Sequence, residues 1–303
     1  MLEIMNNVQQ SGSIANILET APDASVPFRG EYSKLKLVAI FMLYVPIFLA
    51  WTALSLAVFV PLKICNAIGC NWNWANSMMD ECFDLWDSSV HYCFGTRTFA
   101  PGEGKPILLV HGYLHNGSGW HTAMDELEEA GCGPIYTIDL GDGTFSGNFL
   151  SIRDYAKQVG EKVRQILEET GKGSIALVGH SMGGIVSSLY ATEYAEPDTV
   201  SDVVTIGSPM HGTCWADCLA EGANGHEMMT ESPLLEEVRH AIEKTPSIRF
   251  YSVASKTDEI VSFASALHGN DPSKQMIVED VGHISLMTSR KVARKVASWL
   301  KGH

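Results

Sequence analysis

The string Gly179-His180-Ser181-Met182-Gly183-Gly184 directly follows the apolar run Ile175 to Val178 and leads into a helical stretch starting at Ile185. A serine hydroxyl is a weak nucleophile until an adjacent base takes its proton. A strand that turns sharply into a helix holds such a serine in a strained bend with its hydroxyl exposed above the sheet. Gly179 and Gly183 suit that bend, because strand and helix would pass too close there for side chains. The helix N-terminus adds partial positive charge beneath the serine. With 27 glycines in the chain, a G-x-S-x-G string can arise by chance, and the strand before it and helix after it are what give it weight. Ser181 is therefore the candidate nucleophile. The competing reading is a glycine-rich turn that only caps a helix.

A nucleophile of this kind needs a sheet to carry it. Short, wholly apolar runs recur at Ile107 to Val110, Ile135 to Leu140, Ile175 to Val178, Val203 to Ile206, Phe250 to Val253 and Met276 to Val278. Strands without a polar face are covered on both sides, as in a parallel sheet. Helical stretches fall between them: Ser151 to Glu169, with Tyr155, Val159, Val163, Ile166 and Leu167 on one face, then Ile185 to Tyr194, Leu234 to Glu243 and Leu286 to Leu300. Alternating strands and helices predict a three-layer α/β domain with a mostly parallel sheet over residues 101–303.

Five pieces stand in order along that domain: LLVHGYLHN at the first strand, VGHSMGG at the third, IGSPMHGT after the fourth, ASKTDEIV after the fifth and GHISL after the last. Together they resemble the α/β-hydrolase superfamily, in its serine lipase/esterase branch, over residues 105–301. The resemblance implies the chain order nucleophile, acid, base. His283, just past the final strand, is then the base. Asp258, in the loop after the fifth strand, is the acid, with Glu259 as the adjacent alternative and Asp271 and Asp280 as poorer ones. The oxyanion would be held by two backbone N–H groups, that of Met182, which follows the nucleophile, and that of Tyr113, which follows His111-Gly112. His283 would deprotonate Ser181, Asp258 would fix the imidazole tautomer, and an acyl-enzyme would form and be cleaved by water. Relatives with an aspartate nucleophile are excluded by the serine at 181.

Composition bounds the remaining possibilities. The chain has 303 residues, 46% of them hydrophobic and 18% charged, which is globular composition. The formal net charge of −14 repels phosphate backbones and speaks against nucleic acid as a partner. Seven scattered cysteines make no disulfide framework and no four-ligand metal spacing, so no cofactor or metal is expected. A disulfide among Cys65, Cys70, Cys82 and Cys93 would need a compartment outside the cytosol.

From Leu37 to Leu62 the chain carries no charge, and about 20 apolar residues suffice to cross a bilayer. A transmembrane helix over 37–62 is predicted, after a polar segment 1–36. Arg29, Lys34 and Lys36 precede it and Lys63 alone follows closely, which puts the N-terminus in the cytosol and the catalytic domain on the non-cytosolic side. Residues 63–100 read as a connector. Within it Met78, Met79, Cys82, Phe83, Leu85 and Trp86 have helix-like spacing, with Asp80, Glu81, Asp84 and Asp87 between them. A small cap is expected around 214–235, where Trp215, Leu219, Met228, Met229, Leu234 and Leu235 could meet an acyl chain or simply bury the loop. An acyl-ester or lipid substrate fits this organisation. An acyltransferase on the same three residues and a catalytically silent membrane adaptor are the alternatives.

Overall fold

The computed structural model describes residues 81, 84, 97–141, 149–219, 222–269 and 271–301. The polar segment 1–36, the apolar run 37–62, Cys65, Cys70, Cys82 and Cys93, and all of the connector's predicted helix except Glu81 and Asp84 lie outside the described residues. Among the described residues no helix is long and apolar enough to cross a membrane.

Seven strands form one sheet: β1 (Phe99–Ala100), β2 (Ile107–Val110), β3 (Ile135–Ile138), β4 (Ile175–His180), β5 (Val200–Ile206), β6 (Arg249–Ser255) and β7 (Gln275–Val278), in the spatial order β1-β3-β2-β4-β5-β6-β7. All neighbours pair in parallel except β1, which runs antiparallel to β3. The six runs picked from sequence are β2 to β7. The two-residue β1 is an addition that no hydrophobic period could announce.

The period of two along each strand divides the core. Leu108, Val110, Leu177 and Val203 face one side, where helices α2 (Ile152–Thr170) and α3 (Met182–Leu189) contribute Tyr155, Val159, Val163, Ile185 and Val186. Ile107, Leu109, Ala176, Val178 and Val204 face the other, against Trp120, Met124 and Leu127 of the segment leading into and along α1 (His121–Glu129) and Val292, Val296 and Leu300 of the C-terminal helix. This two-sided burial is the reason the strands carry no polar face.

Helix α2 begins at Ser151, whose side chain accepts the Asp154 N–H, and ends at Gly171 in the left-handed conformation. The predicted helix 185–194 starts earlier, at Met182, and its last turn, Tyr190–Tyr194, widens to a π-helix. The cap region holds α4 (Cys214–Leu219) and α5 (Gly222–Glu227), followed by α6 (Pro233–Lys244). Met228, Leu234 and Leu235 are buried in the same core as Met182 and Met229 packs against it, so these apolar side chains of the cap cover the sheet, whereas Trp215 is exposed. After β6 comes the single turn α7 (Phe263–Ala266). The predicted C-terminal helix 286–300 is two pieces, α8 (Ser285–Thr288) and α9 (Arg290–Lys301), because Ser289 takes an extended backbone.

At the end of the sheet where its parallel strands begin, Asp202 is buried and bonded to Lys105 Nζ at 2.8 Å and to Arg249 Nε and Nη2 at 2.7 and 2.9 Å. Burial alone would raise this carboxyl's pKa, but Arg249 and Lys105 together hold it below the usual range. The group ties β2, β5 and β6 together and leaves their opposite ends to the site.

Candidate active site

Ser181 sits between the last residue of β4 and the first of α3, with φ 53° and ψ −126°. A non-glycine residue at positive φ costs about 1–3 kcal/mol and persists only where its surroundings enforce it. Here the enforcement is visible. The Ser181 N–H donates to the Ile206 carbonyl at 2.8 Å, which locks the bend to the end of β5. A side chain on Gly179 would lie 2.3 Å from the Gly183 carbonyl oxygen, and one on Gly183 would lie 2.2 Å from that of Val110. Backbone occupies both places, so only glycine lets α3 leave the sheet at this angle.

Asp258 and His283 arrive from separate strands, β6 and β7. Asp258 Oδ2 is 2.8 Å from His283 Nδ1, and both side chains are buried. The other carboxylate oxygen, Oδ1, accepts the N–H groups of Ile260 and Val261 at 2.9 and 2.7 Å. That turn explains why Asp258 rather than Glu259 meets the imidazole. Glu259 Oε2 instead stands 3.4 Å from the His283 backbone N–H. The two loops are stitched together by Ser255 and Thr257, whose hydroxyls both donate to the Val281 carbonyl. Gly207, at the end of β5 with φ 56°, leaves the room this pair needs: a Cβ there would stand 3.3 Å from Asp258 Oδ2 and 3.4 Å from His283 Nδ1.

His180, the residue before Ser181, joins the two halves. The His180 ring lies 4.7 Å, centroid to centroid, from that of His283, and its Nε2–H donates to the His283 carbonyl at 2.9 Å. Gly112 packs on the other side, where a Cβ would be 2.8 Å from that of Ser181. Tyr113 follows Gly112 in this loop. Met182 opens α3, in the first turn where helical N–H groups lack intrahelical partners. Among the described residues no three His, Cys, Asp or Glu side chains gather where they could hold a metal ion. Asp271 caps the short turn Pro272–Lys274 through the Ser273 N–H.

Residues 105–247 match the family described as alpha/beta hydrolase fold. The lipase BlEst2 of Bacillus licheniformis, in its mature form, superposes with a TM-score of 0.57 over 66% of this chain and 96% of its own, at 17% identity. Phospholipase PlaB of Legionella pneumophila gives a TM-score of 0.54 over 67% of this chain and 60% of its own, at 12% identity. The chain has the α/β-hydrolase fold. Among curated relatives, a pimeloyl-acyl-carrier-protein methyl ester esterase of Aliivibrio fischeri is 31% identical over 107 residues, 35% of this chain and 38% of the relative. A triacylglycerol lipase of Pseudarthrobacter phenanthrenivorans is 31% identical over 118 residues, 37% of this chain and 35% of the relative. The chain thus spans a little over a third of the length of these relatives.

Within the α/β-hydrolase fold the histidines separate by charge. His283 has its pKa raised: burial, the largest influence, would lower it, but Asp258 outweighs burial, with Glu81 and Glu259 adding to the effect. His180 is pushed well below 6.5 by burial and by the facing His283. His111 is pushed down to about 4 by burial. It is fixed as a neutral ring, since Nε2 accepts the Leu140 N–H and Nδ1–H donates to the Gly112 carbonyl, each at 2.8 Å. His268, half-buried and bonded to the Thr205 hydroxyl at 2.9 Å, is likewise pushed down to about 4 by desolvation. Both His111 and His180 support the site's backbone.

These neutral histidines set the acid limit of the fold. Unfolded histidine takes up its proton near 6.5, whereas folded His111 and His268 stay neutral down to about 4. The unfolded state therefore binds more protons in this window, and stability falls as pH falls through it. Each of the two withdraws roughly 3 kcal/mol between those limits. Glu81, raised to about 7, and His283 work in the opposite sense, since their folded forms keep protons the unfolded chain releases. His180, His115 and His211 add to the first group. The melting temperature is expected to drop by on the order of 10 °C between pH 6.5 and 4.5, read by circular dichroism. A flat profile would show that these rings are not neutral in the folded state.

Proposed function

We propose that the protein is a membrane-anchored serine hydrolase that cleaves carboxylic esters of acyl chains or lipids. Ser181 is the nucleophile, His283 the general base and then acid, and Asp258 the carboxylate that orients the imidazole. The observation that carries this reading is the 2.8 Å contact between Asp258 Oδ2 and His283 Nδ1, with the His283 ring 4.7 Å from that of His180, the residue joined to a serine strained to φ 53°. With Nδ1–H given to Asp258, Nε2 is the nitrogen left to take the hydroxyl proton. The raised pKa of His283 suits it to receive that proton and return it to the leaving alcohol. The backbone N–H groups of Met182 and Tyr113 receive the oxyanion of the tetrahedral intermediate, and losing one such donor costs about 3 kcal/mol of transition-state stabilisation. Water then releases the acyl group from Ser181.

The curated relatives support the ester chemistry by their names, one a methyl ester esterase and one a triacylglycerol lipase. The uncharged run 37–62 supports the anchor, and the lysines and arginine before it support a non-cytosolic catalytic domain. A fluorophosphonate probe is expected to label the full chain and not its Ser181→Ala variant. Turnover of p-nitrophenyl esters of graded chain length then reports acyl preference. Absence of labelling together with inert short and long esters would sink the proposal. Extraction of the full chain into the soluble fraction without detergent would remove the anchor from it.

A further inference from the structure

The His283 loop is gripped from a part of the chain far upstream. Glu81, helical in backbone, sends its carboxylate to the turn that opens α8. Its Oε1 accepts the Ile284 N–H and its Oε2 accepts the Ser285 N–H at 2.9 Å. Gly282, just before the histidine, leaves the notch that the carboxylate fills, since a Cβ there would be 2.4 Å from Glu81 Oε2 and 2.8 Å from its carboxyl carbon. The three successive N–H groups of residues 283, 284 and 285 are thus met by two carboxylates, Glu259 for the first and Glu81 for the next two. From the other side His180 holds the His283 carbonyl. The loop that presents the base is pinned at both its donors and its acceptor.

A carboxylate serves no packing purpose that an apolar side chain would not serve at lower cost, since burying it is unfavourable unless its hydrogen bonds are made. Here both oxygens are used, and both bonds go to the residues following His283. We propose that Glu81 is a positioning residue for the reaction, latching loop 282–285 so that the His283 ring stays on Asp258, and thereby coupling the connector ahead of the catalytic domain to turnover. This rests on the reading of His283 as the base. Among the described residues, the charged and titratable groups around Glu81 are Glu259 from the loop after β6 and His283 from the loop after β7, with Asp258 and His180 behind the histidine and Asp84 on Glu81's own segment. Burial, and after it the proximity of Glu259, raise the Glu81 carboxyl to about 7 despite the two N–H donors.

The test uses the full chain in detergent micelles with Glu81→Gln. Glutamine keeps the shape but has one acceptor oxygen, so its amide NH2 confronts one of the two N–H donors. If Glu81 is a latch, kcat for a p-nitrophenyl ester falls roughly tenfold with KM unchanged, and the His283 pKa, read by NMR with 13C-labelled histidine, moves down because a neighbouring anion is gone. If Glu81 only fills space, Glu81→Gln matches the parent in kcat and in His283 titration, and only Glu81→Ala melts lower; that result overturns the proposal. Should the parent chain neither turn over esters nor take up the fluorophosphonate, the serine-hydrolase reading fails by itself. A parent that takes up the probe and turns over esters, with Glu81→Gln unchanged in kcat, ends the latch alone and leaves the serine-hydrolase reading standing.

Discussion

Asp258→Asn is expected to lower kcat about 10,000-fold while leaving the fold intact. The size follows from how the carboxylate is held. Asp258 Oδ1 is occupied by the N–H groups of Ile260 and Val261. An asparagine keeps its carbonyl oxygen on those two donors, because its NH2 would clash with them. The NH2 is thereby turned toward His283 Nδ1. A donor there forces Nδ1 to accept, which moves the ring proton to Nε2, the nitrogen that the proposed mechanism needs bare to take the proton of Ser181. The imidazole stays in place in the wrong tautomer. Steady-state kinetics between pH 7 and 9, alongside a melting curve within a few degrees of the parent, would check this. A loss smaller than tenfold would mean that the 2.8 Å contact between the two side chains does not govern the base.

Gly183→Ala is expected to prevent folding rather than to slow catalysis. Its methyl group would sit 2.2 Å from the Val110 carbonyl oxygen and 2.4 Å from that of His111. Neither can retreat, because Val110 is in register with Gly179 in the centre of the sheet. Relief would require α3 to lift off, exposing Ile185, Val186 and Leu189, all of them buried. Overpacking of this kind costs about 3 kcal/mol or more. Gly171→Ala makes the matched control: its residue also has positive φ, at 64°, but nothing lies within 4 Å of the added carbon, so the cost is about 1 kcal/mol of backbone strain. Soluble yield and thermal melting of the two variants would separate close backbone approach from conformational preference. Equal melting of both would refute the steric account.

What could be read from sequence and what could not divides along physical lines. Strands β2 to β6 were legible because burial on both faces strips a strand of polar residues, and the edge strand β7 because its run Met276 to Val278 is apolar although Ile277 is exposed. The bend at Ser181 was legible because close passage of two backbones leaves glycine no substitute. Asp258 was placed as the acid with Glu259 beside it as the alternative, and residue chemistry alone does not separate adjacent carboxylates; the turn made by the Ile260 and Val261 N–H groups is what directs Asp258 to the imidazole. Helix α1 escaped notice because its core face is just Ala123, Met124 and Leu127, with a buried Glu126 among them bonded to Arg290 and Arg294 of α9. The expected continuous C-terminal helix proved to be two, since nothing in the apolar period marks Ser289 as extended. Glu81 read as one of several acidic residues between apolar ones; its contacts with Ile284 and Ser285 span the whole catalytic domain, and no local pattern encodes a contact of that range.

The bond from His180 to the His283 carbonyl has a consequence for how this enzyme-like scaffold can change. His180, which braces the proposed base, is covalently joined to Ser181, the proposed nucleophile. A substitution that tilts the end of β4 therefore disturbs both partners at once, and a second substitution near residue 283 acts on an arm already moved. Variants on the two sides will combine with strong epistasis rather than additively. Directed evolution that varies one loop at a time would pass over the paired changes that this shared brace makes necessary.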